Sequence, residues 1–214
     1  MPDRLTTQEF EASAGVGDWR VIWGGNWACA LFRTGSFATG VALVQAIGDL
    51  AAANYPDVDL RPESVTVRLF SPDVDGPTSR DVEMARQISA AARALGVAAD
   101  PAAVQHVQVS IDALVIPDVL PFWHAVLGCY DEVGDADLAD PERRLPSFWF
   151  QQMDAPRPQR NRIHIDVYLP RDQVEARIAA ALAAGGHIVS DANAPEWWTL
   201  ADSEGNEVDL AVWG

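Results

Sequence analysis

Residues 104–213 contain one pattern of secondary structure twice, and this repetition limits the fold more than any other feature of the sequence. The first copy is predicted as a strand over 104–111, a helix over 117–127 ended by Gly128, and strands over 129–133, 136–139 and 147–152. The second copy is predicted as a strand over 162–169, a helix over 171–184, and strands over 187–190, 197–201 and 207–213. Two βαβββ units in succession predict paired modules that form one cupped mixed sheet.

The first hundred residues follow a different pattern. A short helix near Glu9 and strands over 19–23 and 27–34 precede a helix over 37–53, a strand over 64–70 and a helix that begins at Thr78. This order predicts a small antiparallel α+β sandwich with helices on one face of the sheet. Pro101 disfavours helix at Asp100, so the boundary is placed there. The sequence thus predicts an α+β protein with domains at 1–100 and 101–214.

The charge of the chain excludes several classes of function. The sequence has 31 acidic and 15 basic residues, every basic one is arginine, and the net charge is -16. Without lysine, Schiff-base chemistry and a phosphate-binding Walker lysine are excluded, and no nucleotide cofactor is expected. So large a negative charge repels phosphate backbones and anionic lipids, which argues against nucleic acid and membrane as partners.

The sequence also favours a cytoplasmic location. Its N-terminus, MPDRLTTQEF, is polar, and no apolar run approaches the ~18 residues that span a bilayer, so neither a signal peptide nor an anchor is expected. Cys29 and Cys129 lie far apart and form no CxxC motif, which favours two reduced thiols over a disulfide.

The first half resembles the pterin-4a-carbinolamine dehydratase family over nearly its whole length. The matching residues are Asp18-Trp19-Arg20-Val21, Pro56-Asp57, Val65-Thr66-Val67-Arg68-Leu69 and Gly76-x-Thr78-x-x-Asp81. The catalytic positions differ, because Asn54-Tyr55-Pro56-Asp57 replaces the His-His-Pro-Asp of the family and Ser71-Pro72 replaces its Thr-His. The resemblance therefore implies a degenerate site at Asn54, Tyr55, Asp57 and Pro72, in a domain that serves as scaffold or pterin-like ligand-binding module.

The second half resembles the vicinal oxygen chelate superfamily, which includes glyoxalases, extradiol dioxygenases and bleomycin-resistance proteins. The residues that carry this resemblance are Phe122-Trp123-x-x-Val126-Leu127-Gly128, Phe150-Gln151, Asn161-Arg162-Ile163-His164-Ile165-Asp166-Val167 and Asp202-x-Glu204-Gly205-Asn206-Glu207. They extend over all of the second domain. The resemblance implies a cup with a ligand site at its centre.

In that superfamily, metal ligands come from the first and last strands of each copy. The corresponding positions here are His106 and Gln151 in the first copy, and His164 and Asp209 in the second. Both pairs have the same separation, since 164 − 106 and 209 − 151 are both 58. Two imidazoles, a carboxylate and a neutral oxygen suit Fe²⁺, Mn²⁺, Ni²⁺ or Zn²⁺. The competing interpretation is that these histidines only form hydrogen bonds in a metal-free site.

Alternation along the predicted strands indicates which other side chains line the cup. Arg162 and Tyr168 share the face of His164, and Trp149 shares that of Gln151, while Trp213 shares that of Asp209. The adjacent Trp197 and Trp198 are expected to close the cup over an aromatic ligand, although core packing explains this pair equally well. These six residues are the predicted substrate-binding set.

Three functions remain open at this stage. The first is a metal-dependent isomerase, lyase or dioxygenase acting on a small organic molecule. The second is a protein that sequesters an aromatic or cationic compound without chemistry, as in the bleomycin-resistance branch. The third is residual 4a-hydroxytetrahydrobiopterin dehydration or pterin binding by the first domain. Both families imply a homo-oligomer, with a dimer as the default.

The absence of histidine from residues 1–100 generates a first prediction. Dehydration of a carbinolamine requires a proton donor and acceptor poised near neutral pH, which is the role of histidine. We expect residues 1–100 to give no turnover above background in a carbinolamine-dehydration assay. Turnover that depends on Tyr55 would contradict this expectation.

Overall fold

A computed structural model describes residues 4–22, 26–50, 56–156, 165–169 and 172–212. The chain forms two compact units, Met1–His106 and Val107–Gly214. Each unit has its own hydrophobic core, one built around Trp19 and Phe32, the other around Trp123 and Phe150.

The first unit is an antiparallel sheet covered by helices. Its elements are α1 (Thr7–Glu11), β1 (Arg20–Ile22), β2 (Trp27–Arg33), α2 (Phe37–Leu50), β3 (Asp57–Leu60), β4 (Ser64–Leu69), α3 (Ser79–Ala94) and β5 (Ala98–Ala99). The strand order is β1-β2-β4-β3, and the short β5 pairs with β2. This arrangement confirms the antiparallel α+β sandwich.

Alternation decides which face of this sheet is buried. Ala28, Ala30 and Phe32 of β2 join a core that includes Leu43 of α2 and Ile88 of α3. The start of α3 is fixed by a buried carboxylate, since Asp81 accepts hydrogen bonds from Thr78 and from Ser71. The Thr-x-x-Asp signature therefore forms the expected capping box.

The second unit contains the βαβββ pattern twice. The first copy comprises β6 (Gln108–Ala113), α4 (Ile116–Leu127), β7 (Asp131–Val133), β8 (Asp137–Ala139) and β9 (Ser147–Gln152). The second comprises β10 (Asp166–Tyr168), α5 (Val174–Ala183), β11 (His187–Ser190), β12 (Trp197–Ala201) and β13 (Glu207–Ala211). The sheet orders are β6-β9-β8-β7 and β10-β13-β12-β11. Each has one parallel pair beside antiparallel ones, which confirms the predicted mixed pairing. The two copies form two four-stranded sheets, however, where one sheet was predicted.

The first strand of the second unit begins later than the sequence predicts. A strand over 104–111 was expected, but β6 covers Gln108–Ala113, and a 3₁₀ turn at Pro101–Ala103 precedes residues 104–107. Val104-Gln105-His106-Val107 alternates like a strand, yet β6 pairs with β9 only from Gln108 onward. Pattern alone cannot separate a paired strand from an extended segment without a partner strand.

A hairpin turn of the second copy holds the first copy in place. Asp202, which is 0% exposed, accepts hydrogen bonds from the Trp123 indole at 3.0 Å and from the backbone N–H groups of Glu204 and Asn206. Glu204 accepts the N–H groups of Leu114 and Val115 at 2.6 and 2.7 Å. Because Val115 is the N-cap of α4 and has no side-chain cap bond, Glu204 of the other copy satisfies the N–H groups of the two residues that precede the helix.

Within the described ranges, every helix is too short or too polar to cross a lipid bilayer.

The buried carboxylate of Asp202 generates a prediction. D202A leaves the Trp123 Nε1–H without an acceptor in the core and frees the turn, which we expect to cost about 3 kcal/mol of unfolding free energy. Urea unfolding followed by circular dichroism measures the loss. D191A removes an exposed turn carboxylate and should change stability by about 0.5 kcal/mol at most. Equal effects of the two substitutions would contradict this account.

Candidate functional site

One sheet of the second unit, β10-β13-β12-β11, has an exposed face with two neighbouring rows of side chains. We call Asp166 and Asp209 the acidic row, and Tyr168 and Trp197 the aromatic row. Asp166 of β10 pairs with Asp209 of β13, which pairs with Thr199 of β12. Two residues further along β13, Ala211 pairs with Tyr168 on one side and Trp197 on the other. Partners in a ladder point to the same face, so all six side chains belong to one surface.

The acidic row concentrates negative charge on neighbouring strands. The Thr199 hydroxyl donates to Asp209 Oδ1 at 2.6 Å, which fixes that half-buried carboxylate. Asp166 is exposed directly across the ladder, and Glu207 lies one step along β13 on the same face. Like charges in opposing positions of a ladder repel each other, so this pair of carboxylates favours a positive charge nearby.

The aromatic row consists of two rings on the strands that neighbour β13. Tyr168 and Trp197 flank Ala211, and two strand spacings separate their backbones by about 9.6 Å. A planar molecule stacked between two rings needs about 3.5 Å on each side. Tyr168 is 59% exposed, so its ring is accessible to a ligand.

Trp198 lies on the opposite face from Trp197. It pairs with Leu210 and packs against the core that contains Phe150 and Trp123. Trp198 therefore follows the core-packing alternative, because successive residues of a strand alternate between faces.

The exposed face of the sheet β6-β9-β8-β7 has a smaller set of the same residue types. Trp149, 37% exposed, pairs with Ser110 on one side and with Asp137 on the other, and Gln151 pairs with Asp112. Burial raises the pKa of the Asp137 carboxyl above its usual value. Trp149 and Gln151 therefore share a face, as their spacing predicts.

His106 lies in the first unit, although it was predicted as a metal ligand of the second domain. It precedes β6 by two residues, and its ring is edge-on to that of Trp27 with centroids 5.2 Å apart. Burial, together with the nearby Arg68 guanidinium, lowers the pKa of the His106 imidazole. The neutral imidazole therefore predominates at neutral pH.

Strand register also separates His106 from the other predicted ligands. Gln151 pairs with Asp112, and Asp209 pairs with Asp166. When the copies are aligned on Gln151 and Asp209, their first strands are offset by 54 residues (166 − 112) and not 58. The described strands therefore differ from the offset of 58 that the pairing of His106 with His164 requires.

Three of the four predicted metal ligands, His106, Gln151 and Asp209, belong to the part of the chain that the structure describes. Within that part, no three His, Cys, Asp or Glu side chains lie close enough together to hold a metal ion. His164, Arg162 and Trp213 lie outside the described residues, so the structure does not place them. Of the predicted set, Asp209 and Gln151 lie on separate four-stranded sheets, and His106 contacts Trp27.

The degenerate dehydratase positions are only partly described. Asp57 opens β3 and pairs with Arg68, and Pro72 is exposed in the turn after β4. Asn54 and Tyr55 lie outside the described residues. Ser71, which replaces the threonine of the family motif, is fully buried and donates to Asp81 at 2.8 Å, so its hydroxyl has a structural role.

Sequence reasoning missed two residues of the acidic and aromatic rows, Thr199 and Ala211. Their signal is the hairpin between β12 and β13, whose turn at 202–206 fixes the pairing of Trp197 with Ala211 and of Thr199 with Asp209. A small residue between two aromatic ones becomes visible only when the strands are set side by side.

Comparisons with known proteins match each half separately. Residues 3–91 match the family model "Pterin 4 alpha carbinolamine dehydratase", and residues 108–211 match "Glyoxalase-like domain". Two relatives named "Putative pterin-4-alpha-carbinolamine dehydratase" match the first half. The one from Roseiflexus sp. (strain RS-1) is 34% identical over 91 residues, 41% of this chain and 96% of its own. The one from Nocardia farcinica is 40% identical over 60 residues, 27% of this chain and 63% of its own, so this chain spans less than two thirds of that relative.

Among solved structures, a glyoxalase-related enzyme from Fulvimarina pelagi is similar over 51% of this chain and 88% of its own, with 14% identity and a TM-score of 0.39.

The opposite orientations of Trp197 and Trp198 generate a prediction. W198A removes an indole packed on the core and should lower the unfolding free energy by about 3 kcal/mol. W197A removes the same side chain from the opposite face of the sheet and should cost about 1 kcal/mol. Urea unfolding followed by far-ultraviolet circular dichroism compares them. Equal losses would contradict the assignment of the two faces.

Proposed function

Because the first half of this chain belongs to the pterin 4 alpha carbinolamine dehydratase family and the second is a glyoxalase-like domain, we propose that the chain binds a small organic molecule at the exposed face of the sheet β10-β13-β12-β11. The ligand is a flat aromatic cation, held without chemical conversion. The first domain serves as a scaffold. The observation that carries the proposal is that the acidic row, Asp166 and Asp209, lies beside the aromatic row, Tyr168 and Trp197, on one face.

The two rows suit the two parts of such a ligand. The gap over Ala211 accepts the ring, with Tyr168 and Trp197 stacked on either side. A positive charge on the ring gains a cation–π contribution from both aromatics. The same charge lies two residues along the strands from Asp166 and Asp209, whose mutual repulsion it reduces. An uncharged ring gains only the stacking, and an anionic ring is repelled.

Net charge supports a cationic ligand. Residues 101–214 contain 18 acidic residues and 7 arginines, whereas residues 1–100 contain 13 and 8. The second domain therefore carries most of the negative charge, which attracts cations over a range of about 10 Å at moderate ionic strength. Binding should accordingly weaken as salt concentration rises.

A catalytic metal centre is the weaker candidate. His106, one of its two predicted imidazole ligands, packs against Trp27 in the first unit. Sequestration needs only the acidic and aromatic rows, which belong to one sheet and contain no histidine.

Matched ligands of equal size test the proposal on the full chain. We expect 1-methylquinolinium to quench tryptophan fluorescence with saturable binding that chelator leaves unchanged. Neutral quinoline should bind more weakly, and quinoline-2-carboxylate should not bind. W197A should lose most of the quenching, whereas W149A, on the other sheet, should retain it. Equal binding of all three compounds, or binding lost in W149A alone, would overturn the proposed site.

The charge of Asp166 generates the matching variant. D166N removes one of two opposed carboxylates, so it should weaken 1-methylquinolinium binding about fivefold, or ~1 kcal/mol. The same substitution should raise the unfolding free energy by about 0.5 kcal/mol, because the repulsion from Asp209 disappears. E175Q makes the same change of charge at an exposed position of α5 and should alter neither measurement appreciably. Weaker binding accompanied by lower stability would contradict this explanation.

A further inference from the structure

Residues 98–106 are attached to β2 along its length. Ala99 and Ala98 of β5 pair with Phe32 and Arg33. The Asp100 N–H then donates to the Leu31 carbonyl at 2.7 Å, and the Arg33 guanidinium donates to Asp100 Oδ2 at 2.8 and 3.0 Å. The segment that the sequence predicts as the end of one domain and a linker therefore begins as an additional strand of the first sheet.

Beyond Asp100 the chain continues toward the start of β2. The 3₁₀ turn at Pro101–Ala103 is closed by hydrogen bonds from the Ala103 N–H to Asp100 and from the Val104 N–H to Pro101. Beyond the turn, the His106 ring meets the Trp27 ring at an interplanar angle of 80°, an edge-on contact. Asp100 and His106 thus contact opposite ends of the same strand.

This segment contacts the outward face of the sheet. Ala28, Ala30 and Phe32 face the helices, so Trp27 and Cys29 face the other way. Both are nevertheless buried, with exposures of 9% and 6%. An indole left on an open face would expose a large apolar surface to water. His106 packs directly on Trp27, and the 3₁₀ turn also contacts β2.

We infer that His106 is an anchor that closes the segment 100–106 over Trp27 of the dehydratase-like domain, and is not a metal ligand of the glyoxalase-like domain. Two independent observations carry this inference. His106 belongs to the first unit and makes an edge-on contact with Trp27. The first strands of the two copies are offset by 54 residues where they are described, and not by the 58 that separate His106 from His164. The inference does not depend on the proposed cation site, which contains no histidine.

Phenylalanine separates the two roles, because it preserves an edge-on ring contact and cannot bind a metal. In the full chain without a tag, H106A should speed hydrogen exchange of the Asp100, Ala103 and Val104 amides about fivefold, because it removes the contribution of one aromatic pair. H106F should exchange at close to the wild-type rate. Titration calorimetry with Ni²⁺ should give the same result for wild type and both variants.

The control is H187A, which removes an exposed imidazole at the start of β11 and should leave exchange at 100–104 unchanged. Two outcomes would overturn the inference. One is Ni²⁺ affinity that H106A and H106F both abolish while H187A retains it. The other is exchange at 100–104 that H106A leaves at the wild-type rate. Exchange that is faster in H106A and restored in H106F supports the anchor.

Discussion

The glyoxalase-like unit depends on one buried carboxylate. Asp202 has no exposed surface, and a charge in that position is tolerated only because it accepts four hydrogen bonds, from Trp123, Glu204 and both the backbone and the side chain of Asn206. These bonds fix the turn that places Glu204 where it accepts the N–H groups of Leu114 and Val115, directly before α4. The hairpin β12–β13 is thereby joined to the first copy, and its pairing register is the one that assembles the acidic and aromatic rows.

Because successive residues of a strand point to opposite faces, this register gives the two faces of the hairpin different roles. Val208 and Leu210 enter the core with Trp198, while Glu207, Asp209 and Trp197 remain on the other side. The helices need a continuous apolar surface, and the exposed face has no such requirement. Its acidic and aromatic residues are therefore available for a ligand, and because they are paired across three strands their spacing is fixed by the backbone.

The sequence predicted the fold well and the site less well. The bounds of β9, β11 and β12 agree with the predicted 147–152, 187–190 and 197–201, because strong alternation and flanking turns determine them locally. His106 shows where that approach fails. Its neighbours alternate like a strand and its separation from His164 matches that of Gln151 from Asp209, but neither pattern carries information about which strand it pairs with. Thr199 and Ala211 were missed for the same reason.

The sequence by itself determined the two families, the order of helices and strands, the alternation of faces and the absence of lysine chemistry, since each depends on residue type and local spacing. Only the tertiary structure decided that His106 contacts Trp27, that the turn at Asp202 joins the two copies, and that Trp197 and Trp198 face opposite sides of one hairpin in a fixed register. Those outcomes depend on which partner a segment packs against. Contacts between residues distant in the chain decide that choice, and a local pattern does not contain it.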